Sequence, residues 1–455
     1  MKYILNNNIA LRSWQLVPYA YYSWHEKFPR PLTRQEFEIL LKCNGKTDIE
    51  KDETVTNLLS RGFIHECRED EHLSSWQEYK KYNHRLMPLI NLEVTGRCNY
   101  NCMHCFNAKD NERLQSHLTY EQALHILDEA QACGINGFTI TGGEPLVHQD
   151  ILKIVDAIYE RNMFIFDFNT NGSLLTQDIL DHFKQIGCDP LMKISFDGID
   201  YHDYIRQKKG SQEEAMEAIK LCIDNDFMVM VQMQINRQNK DVILKSLEML
   251  DEMGVAKTRI IRTSESPRWL KNAGDQCLSS EEYYDCGYEI MSGYISKKHH
   301  MSINYWQLLQ YNPINNTHRL TIDNDEKDFK ESIPICKGAR SMIGIGANGN
   351  LYPCLQLSGT LDNDNVCLGN IFRQSLQEIL TDSDYLNMVM CTVKDRIKEN
   401  EKCRNCEYLK RCLGGCPVLG YLDTKGNILG IDNSKCVYFE KGYDKRFKEL
   451  FREKQ

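Results

Sequence analysis

The sequence lacks the features that mark a membrane-spanning, secreted or nucleic-acid-binding protein. No apolar run reaches the roughly 18 residues needed to cross a bilayer. The stretch Met1–Ala20 has no continuous apolar core, so we expect no signal peptide and a cytoplasmic location. The chain carries 64 acidic and 55 basic residues, with no basic stripe. We therefore expect neither a membrane nor a nucleic acid as partner, because phosphate binding needs clustered Lys and Arg.

Cysteine, by contrast, is abundant, with 19 residues in the chain. Without a signal peptide, this count favours metal binding over disulfides. The segment 98–105 reads Cys-Asn-Tyr-Asn-Cys-Met-His-Cys. The thiols of Cys98, Cys102 and Cys105 can hold three irons of a 4Fe–4S cube and leave the fourth iron open to a small molecule. The alternatives are three unrelated cysteines or part of a zinc site.

Predicted strands lead into this cysteine loop and into a second polar turn. Leu89–Thr95 reads as a strand before the loop, and Gly137–Thr141 reads as another. The second strand runs into the turn Gly142-Gly143-Glu144-Pro145, where two glycines let the backbone approach a ligand closely. Since parallel sheets place ligands beyond the carboxyl ends of their strands, the loop and the turn are predicted to share one site.

Strand and helix patterns then alternate along the chain. A helix is predicted after Thr119, which forms a capping-box pattern with Gln122. The other predicted strands are 164–172, 192–198, 229–236 and 257–262, and the other helices lie near 150–161, 176–186, 211–225 and 240–253. Six strand–helix units across 88–300 predict an α/β fold, an open partial (β/α)6 barrel of the TIM type with right-handed crossovers.

The cysteine loop and the Gly-Gly-Glu-Pro turn resemble the radical S-adenosylmethionine (SAM) superfamily. In that family SAM chelates the open iron, and an electron from the cluster cleaves it to a 5′-deoxyadenosyl radical, which abstracts hydrogen from the substrate. The resemblance implies that Cys98, Cys102 and Cys105 hold the catalytic cluster. It also implies a set of SAM-binding residues: Gly142, Gly143, Glu144 and Pro145 for the amino group, with Asn169, Ser195, Asp197, Arg206 and Asn236.

The resemblance assigns different parts of SAM to these residues. The segment around Ser195 would contact the ribose and carboxylate, and Asn236 would lie near the adenosine, with Arg262 as a further candidate. Arg206 would pair with the carboxylate, since a guanidinium fork suits a planar anion. The alternative for Arg206 is a solvated surface arginine.

A second group of cysteines lies toward the C-terminus. Its members are Cys336, Cys354, Cys403, Cys406, Cys412, Cys416 and Cys436. A zinc ribbon would be one reading of such a cluster. The order of the seven, with Gly349 five positions before Cys354, resembles the SPASM domain, which carries two auxiliary 4Fe–4S clusters. The resemblance implies that one cluster binds Cys403, Cys406, Cys412 and Cys436, and the other Cys336, Cys354 and Cys416.

The second of these ligand sets is one cysteine short. Residues 337–346, where some relatives supply a fourth cysteine, contain none. Either this cluster has an open iron, which could bind a substrate thiolate, or a distant residue fills the site, with Cys367 and Cys391 as the nearest candidates. Most cysteines outside the ten predicted ligands fit apolar faces and are expected to be small buried hydrophobes, although one could be a hydrogen-atom donor.

The N-terminal region resembles a winged helix-turn-helix. Short strands are predicted at Tyr3–Leu5 and Ala10–Leu16, with helices at Leu32–Cys43 and Glu53–Arg61. In peptide-modifying relatives a domain of this shape binds the leader of a precursor peptide, typically as a strand added to a sheet edge. The alternatives are a structural cap and a DNA-binding domain, the latter disfavoured by charge.

These patterns divide the chain into six predicted parts. They are a leader-recognition domain (1–70), a bridge (71–87), the radical SAM barrel (88–300), a connector (301–335), the SPASM domain (336–437) and a charged C-terminal helix with a solvated face (438–455).

The leading interpretation is a radical SAM/SPASM maturase of a ribosomally made precursor peptide. It would use SAM, three 4Fe–4S clusters and a flavodoxin- or ferredoxin-type reductant, and would form a thioether or carbon–carbon crosslink or invert an α-carbon. The alternatives are a sulfatase-maturing enzyme, a small-molecule or cofactor-biosynthesis enzyme, and a sensor without turnover. The first is disfavoured because Leu355 follows Cys354, where those relatives carry an aspartate.

Overall fold

A computed structural model of the chain describes residues 1–24, 28–105, 115–263 and 267–452. The strands are β1 (Lys2–Leu5), β2 (Ile9–Trp14), β3 (Val17–Ser23), β4 (Arg30–Pro31), β5 (Asn44–Asp48), β6 (Ile64–Glu66), β7 (Lys80–Lys81), β8 (Leu89–Glu93), β9 (Gly137–Thr141), β10 (Phe164–Thr170), β11 (Leu191–Ser195), β12 (Val229–Ile235), β13 (Lys257–Arg262), β14 (Ser302–Tyr305), β15 (Leu309–Asn312), β16 (Thr317–Leu320), β17 (Met342–Ile345) and β18 (Leu351–Tyr352).

The α-helices in these ranges are α1 (Arg34–Lys42), α2 (Glu53–Ser60), α3 (Tyr120–Ala132), α4 (Ile151–Glu160), α5 (Gln177–Gln185), α6 (His202–Arg206), α7 (Ser211–Asp224), α8 (Ile243–Glu252), α9 (Pro267–Ala273), α10 (Ser280–Ile295), α11 (Leu355–Asn363), α12 (Leu376–Ile379), α13 (Asp384–Val389), α14 (Val393–Glu399), α15 (Glu401–Arg404), α16 (Leu409–Cys412), α17 (Pro417–Asp423), α18 (Asn433–Glu440) and α19 (Tyr443–Arg452). No helix in the described ranges is long and apolar enough to cross a membrane.

A single large sheet forms the centre of the molecule. Strands β8 to β14 lie side by side and parallel, and β17 adds to the other side of β8, also in parallel. The antiparallel strands β15 and β16 extend one edge, and β18 extends the other. The predicted α/β class and partial barrel are confirmed. The structure adds β14, from the predicted connector, and β17, from the predicted SPASM domain, to the six strands expected from the sequence.

Helices cover the outer face of the sheet with apolar side chains at helical spacing. In α3 the buried residues are Ala123, Ile126, Leu127 and Ala130, and Thr119 and Gln122 form the predicted capping box. Each such side chain contributes roughly 1.5–3 kcal/mol of apolar burial if it is as large as Ile or Leu. The main hydrophobic core therefore lies between the outer face of the sheet and the helices. The inner face and the strand ends remain available to ligands.

The N-terminal region contains two small sheets and two helices. The sheet orders are β5-β1-β6 and β4-β3-β2-β7. Thr33 caps α1 with a capping box, and Asp52 caps α2, so both predicted helices are present. Tyr3, Phe37 and Leu58 are buried in a core separate from that of the barrel. The winged-helix assignment of this region stays a prediction.

Three aromatic side chains attach the N-terminal region to the barrel. The indole nitrogen of Trp14 donates to the Cys133 carbonyl at 3.3 Å, and the Tyr22 hydroxyl donates to the Gly134 carbonyl at 2.9 Å. The ring of Tyr82 stacks on Trp14 with centroids 5.3 Å apart. Gly134 ends α3 in a left-handed conformation, with φ of +67°.

The C-terminal segment differs from the single solvated helix that was expected. Gly442, with φ of +75°, separates α18 from α19. One face of α19 is buried through Tyr443, Phe447 and Phe451, which recur at a spacing of four residues. The charged residues between them hid this apolar stripe, because composition alone does not report which face a residue occupies.

Replacing Gly134 by alanine is expected to loosen the docking of the N-terminal region. A Cβ at this position would lie 2.5 Å from the ring of Tyr82 and 2.9 Å from that of Trp14. We expect Gly134→Ala to lower the free energy of unfolding by about 1–3 kcal/mol more than left-handed strain alone. Urea unfolding measures the difference against Gly187→Ala, since Gly187 has φ of +72° and no heavy atom within 4 Å. Equal losses in the two variants would contradict the proposed contact.

Candidate active site

The turn after β9 packs directly on the chain that leaves β8. Gly143 N–H donates to the Thr95 carbonyl at 2.7 Å, and Glu144 N–H donates to the Arg97 carbonyl at 2.9 Å. A Cβ on Gly142 would lie 2.5 Å from the Thr95 carbonyl oxygen, and one on Gly143 would lie still closer to Arg97. Only glycine allows this approach, so the two predicted motifs form one edge of the site.

The three thiols of the cysteine loop interact electrostatically with one another. Tyr100 N–H points at Cys98 Sγ from 3.4 Å, and Arg206 Nη1 lies 3.7 Å from Cys102 Sγ. Both contacts place a donor beside a sulfur atom, and hydrogen bonds to sulfur tune the potential of a bound cluster. Burial nevertheless raises the pKa of the Cys98 thiol to about 12. Tyr100 itself is buried and donates its hydroxyl to Glu214 at 2.5 Å. The loop is thus attached to α6 through Arg206 and to α7 through Glu214.

Glu144 connects the Gly-Gly-Glu-Pro turn to the end of β10. Its carboxyl group accepts from the Thr170 hydroxyl at 2.8 Å, from Asn171 N–H at 2.7 Å and from Leu146 N–H at 3.1 Å. Burial raises the pKa of Glu144 to about 7 despite these donors. Pro145 begins a short 3₁₀ turn that this carboxyl group caps. Asn171 also donates to Asn99 at 2.9 Å, so β10 contacts the cysteine loop too.

Asp197 and Arg206 form a buried ion pair beneath the cysteine loop. Arg206 Nε lies 2.7 Å from Asp197 Oδ2, and Asp197 is fully buried. Although burial opposes it, the Arg206 guanidinium lowers the pKa of Asp197. His104 and His202 face the same carboxylate, and burial lowers their pKa to about 4 and about 3. Two donors of Arg206 are therefore occupied by Asp197 and Cys102, which rules out a solvated surface position.

The remaining predicted SAM contacts lie along the strand ends. Asn169 donates to the Ile140 carbonyl at 3.1 Å and accepts from Gln232 at 3.1 Å. Ser195 is the last residue of β11, half-buried and paired in register with Gln232. Asn236 is fully buried, and its Nδ2 has no partner among the described residues. Arg262 is the last residue of β13, and its Nε donates to the Leu278 carbonyl at 2.7 Å.

A charged layer on the inner face of the barrel was not predicted from the sequence. Lys193 Nζ and Asp167 Oδ2 form an ion pair of 2.5 Å in which both side chains are buried. Arg259 lies with its guanidinium 4.6 Å from the ring centroid of Trp306. The signal was a charge at alternate positions of a strand, as in Lys257 and Arg259 of β13. This layer gives the barrel a polar interior below the cysteine loop.

The thiols of the C-terminal cysteines form two groups by their mutual electrostatic interactions, and their assignment to clusters stays a prediction. The Cys354 thiol interacts electrostatically with those of Cys416 and Cys336. Cys354 and Cys416 each precede a helix, and backbone N–H groups of α11 and α17 point at their sulfurs. Burial raises the pKa of the thiol to about 12 for Cys354 and about 11 for Cys416, and these N–H groups oppose the rise.

The second group contains the other four predicted ligands. The Cys403 thiol interacts with those of Cys406 and Cys436, and the Cys412 thiol also interacts with that of Cys436. In the described part of the chain, no group of three or more His, Cys, Asp or Glu side chains surrounds one ion position.

The two candidates for a fourth ligand of the Cys336 set make other contacts. Cys367 is exposed and donates to Asn350 Oδ1 at 3.6 Å. Cys391 donates to the Asn387 carbonyl at 3.4 Å, although its backbone carbonyl accepts from Ile335 N–H, next to Cys336. The choice between an open iron and a distant ligand stays a prediction.

Removing the Arg206 charge is expected to leave Asp197 buried and unpaired. We expect Arg206→Gln to lower the free energy of unfolding by about 3–5 kcal/mol. The control is Arg237→Gln, whose partly exposed pair with Glu282 at 2.8 Å is worth at most about 1 kcal/mol. Because the folded pKa of Asp197 lies below its ordinary 3.8, the pair's stabilisation is complete above that pH and is lost on further acidification. Urea unfolding should show a smaller difference in free energy of unfolding between the natural chain and Arg206→Gln at pH 3 than at pH 7. The same difference at both pH values would contradict the pairing.

Comparison with known proteins places this geometry in a family. Residues 92–250 match the model described as the radical SAM superfamily, and residues 336–407 match the iron–sulfur cluster-binding SPASM domain. An AdoMet-dependent heme synthase of Methanosarcina barkeri is 25% identical over 353 residues, 77% of this chain and 96% of that protein.

Two solved structures share the fold. SuiB of Streptococcus suis, bound to its precursor peptide SuiA, has a TM-score of 0.64 at 16% identity and covers 95% of this chain and 99% of its own. The enzyme anSMEcpe, with bound AdoMet and the Cp18Cys peptide, has a TM-score of 0.60 at 16% identity and covers 81% of this chain and 99% of its own. The two domain matches identify the chain as a radical SAM enzyme with a C-terminal SPASM domain, which uses SAM and a 4Fe–4S cluster.

Proposed function

We propose that this enzyme is a maturase of a ribosomally made precursor peptide. The observation that carries the proposal is the extent of the fold. SuiB, whose structure holds a precursor peptide, resembles 95% of the chain, whereas anSMEcpe resembles 81%. The similarity to SuiB therefore covers more of the chain than the barrel and the cluster domain. The N-terminal sheets and helices are a region that can account for this difference.

We assign three 4Fe–4S clusters to the ten predicted cysteine ligands. Electrostatic interactions between thiols within each of the three sets support this assignment. When bound, SAM and the first cluster supply the 5′-deoxyadenosyl radical. A flavodoxin- or ferredoxin-type protein in the cytoplasm would supply the electron.

The chain's own residues would hold and orient the reactants. Cys98, Cys102 and Cys105 would each bind one iron, and the turn from Gly142 to Pro145 would face the SAM amino group. The free Nδ2 of Asn236 is available to a hydrogen-bond acceptor on SAM. The polar interior around Asp167 and Lys193 would receive the peptide residue that loses its hydrogen. Closing this interior to water would protect the radical from side reactions.

The N-terminal residues 1–70 would bind the leader of the precursor. Their sheets end in the short strands β4, β5 and β6, whose outer edges have no neighbour among the described strands. An added peptide strand would pair with such an edge through main-chain hydrogen bonds. The docking of this region through Trp14 and Tyr22 would then keep the leader at a fixed distance from the barrel.

Modification of a small molecule is the second candidate function. The heme synthase relative supports it, since it spans 77% of the chain. A formylglycine-forming reaction is less well supported. Leu355, the residue after Cys354, begins α11 and offers no carboxylate where that reaction would need a base.

The proposal is tested with the peptide encoded by a short reading frame beside the gene. We expect the reconstituted enzyme, SAM and dithionite to yield 5′-deoxyadenosine and a modified peptide. A crosslinked peptide will have lost two hydrogen atoms, and a peptide inverted in heavy water will have exchanged one hydrogen for deuterium. The same peptide without its leader is expected to react poorly. Hydrogen exchange should show leader protection within residues 1–70. Formation of 5′-deoxyadenosine with an unchanged peptide would contradict the proposal and favour a small molecule.

A further inference from the structure

Arg396 is a fully buried arginine in the middle of the SPASM domain. It lies on α14 and has no solvent-exposed surface. Its guanidinium donates to backbone carbonyls, those of Gly415 at 2.9 Å, Leu413 at 3.2 Å and Ile428 at 3.5 Å. Its Nε has no hydrogen-bond partner among the described residues. Burial of a guanidinium without a carboxylate on it is costly unless negative charge lies nearby.

Two of the three carbonyls that accept from Arg396 belong to the segment between Cys412 and Cys416. Leu413 directly follows Cys412, a predicted ligand of one cluster, and Gly415 directly precedes Cys416, a predicted ligand of the other. The guanidinium accordingly interacts with the thiols of Cys403 and Cys412 in the first group and with Cys416 in the second. A single charge thus faces both auxiliary sites.

The backbone around Arg396 is shaped to admit this side chain. Gly414, with φ of +79°, carries no Cβ, and a Cβ there would overlap the Arg396 side chain. Gly415, with φ of +78°, leaves the same kind of space for Asp432. Both glycines occupy the left-handed region that other residues rarely adopt. The Gly414-Gly415 pair between Cys412 and Cys416 is therefore required by what packs on it.

The charges close to the two thiol groups do not cancel. Asp432 is the nearby acid, and its Oδ2 accepts from Cys416 N–H at 2.9 Å. Lys435 adds a second positive charge that interacts with Cys412 and Cys416. Asp323 also acts on Lys435, but its carboxylate is paired with Arg411 and Lys448. An arginine stays charged at every accessible pH. Iron cubes with thiolate ligands carry net negative charge, which increases on reduction, so a neighbouring cation stabilises the reduced form.

We propose that Arg396, aided by Lys435, is a positioning residue that raises the reduction potentials of both auxiliary clusters by placing buried positive charge between them. The inference rests on the cluster assignment made under the proposed function. The Arg396 guanidinium, which donates to the Leu413 and Gly415 carbonyls between Cys412 and Cys416, would act electrostatically on both clusters. Gain of one electron by either cluster is favoured by the same charge.

The test is a potentiometric titration of the full chain, reconstituted anaerobically and followed by electron paramagnetic resonance. A Cys98/Cys102/Cys105→Ala background removes the SAM-binding cluster, so the signal reports the auxiliary clusters alone. In that background Arg396→Gln is expected to lower the ratio of reduced to oxidised cluster at a fixed potential about tenfold, a shift of about 59 mV for a one-electron couple. Arg396→Lys, which keeps the charge, is expected to stay near the parent.

Two further variants separate charge from structure. Lys394→Gln removes an exposed charge from the same helix and is expected to leave both potentials unchanged, because solvent and salt screen it. Lys435→Gln is expected to lower the reduction potentials of the auxiliary clusters. If Arg396→Gln does not retain iron, the potentials of Lys435→Gln test the electrostatic effect instead. Unchanged potentials in the iron-loaded Gln variants would overturn the inference. A background protein without SPASM iron would overturn the cluster assignment itself, so iron analysis distinguishes the two failures.

Discussion

The active-site edge of the barrel depends on one backbone contact, that between the turn after β9 and the chain leaving β8. Gly142 and Gly143 lie so close to Thr95 and Arg97 that any Cβ would overlap main-chain atoms. This contact sets the cysteine loop beside the turn, and the Glu144 carboxyl group then joins the turn to β10 through Thr170 and Asn171. Three strand ends thereby become one connected surface on which three thiols and a small ligand are brought together. A substitution at either glycine would push the turn away from the chain leaving β8, although β8 and β9 would remain paired in the sheet.

Buried charge is the second constraint, and it recurs wherever chemistry is assigned. Asp197 with Arg206 lies beneath the cysteine loop, Asp167 with Lys193 lies inside the barrel, and Arg396 lies between the auxiliary thiols. Each costs desolvation that an apolar side chain would avoid, so stability alone does not explain any of them. Perturbed, buried ionisable groups are typical of functional sites. The first two pairs lie in the barrel, and Arg396 lies in the core of the SPASM domain.

Much of this could be predicted from the sequence, because local spacing carries the information. The Gly-Gly-Glu-Pro turn and the capped helix α3 were predicted from residues close together in the chain, and the structure has both. The assignment of the cysteines to three clusters stays a prediction. What the sequence did not reveal depends on distant pairing. The parallel addition of β17 to β8 joins residues some 250 positions apart. The Asp167–Lys193 pair lies across two strands, the Arg206 contact with Cys102 spans the loop and α6, and the buried face of α19 is masked by its charged neighbours.

The measurement that tests the account most directly is the iron and sulfide content after anaerobic reconstitution, on the natural chain and on a Cys98/Cys102/Cys105→Ala variant. The account predicts about twelve irons per chain in the first and about eight in the second, since the variant loses one cube of three. About four irons in the natural chain, with zinc bound in addition, would contradict the assignment of two auxiliary clusters and remove the basis for the electrostatic role of Arg396.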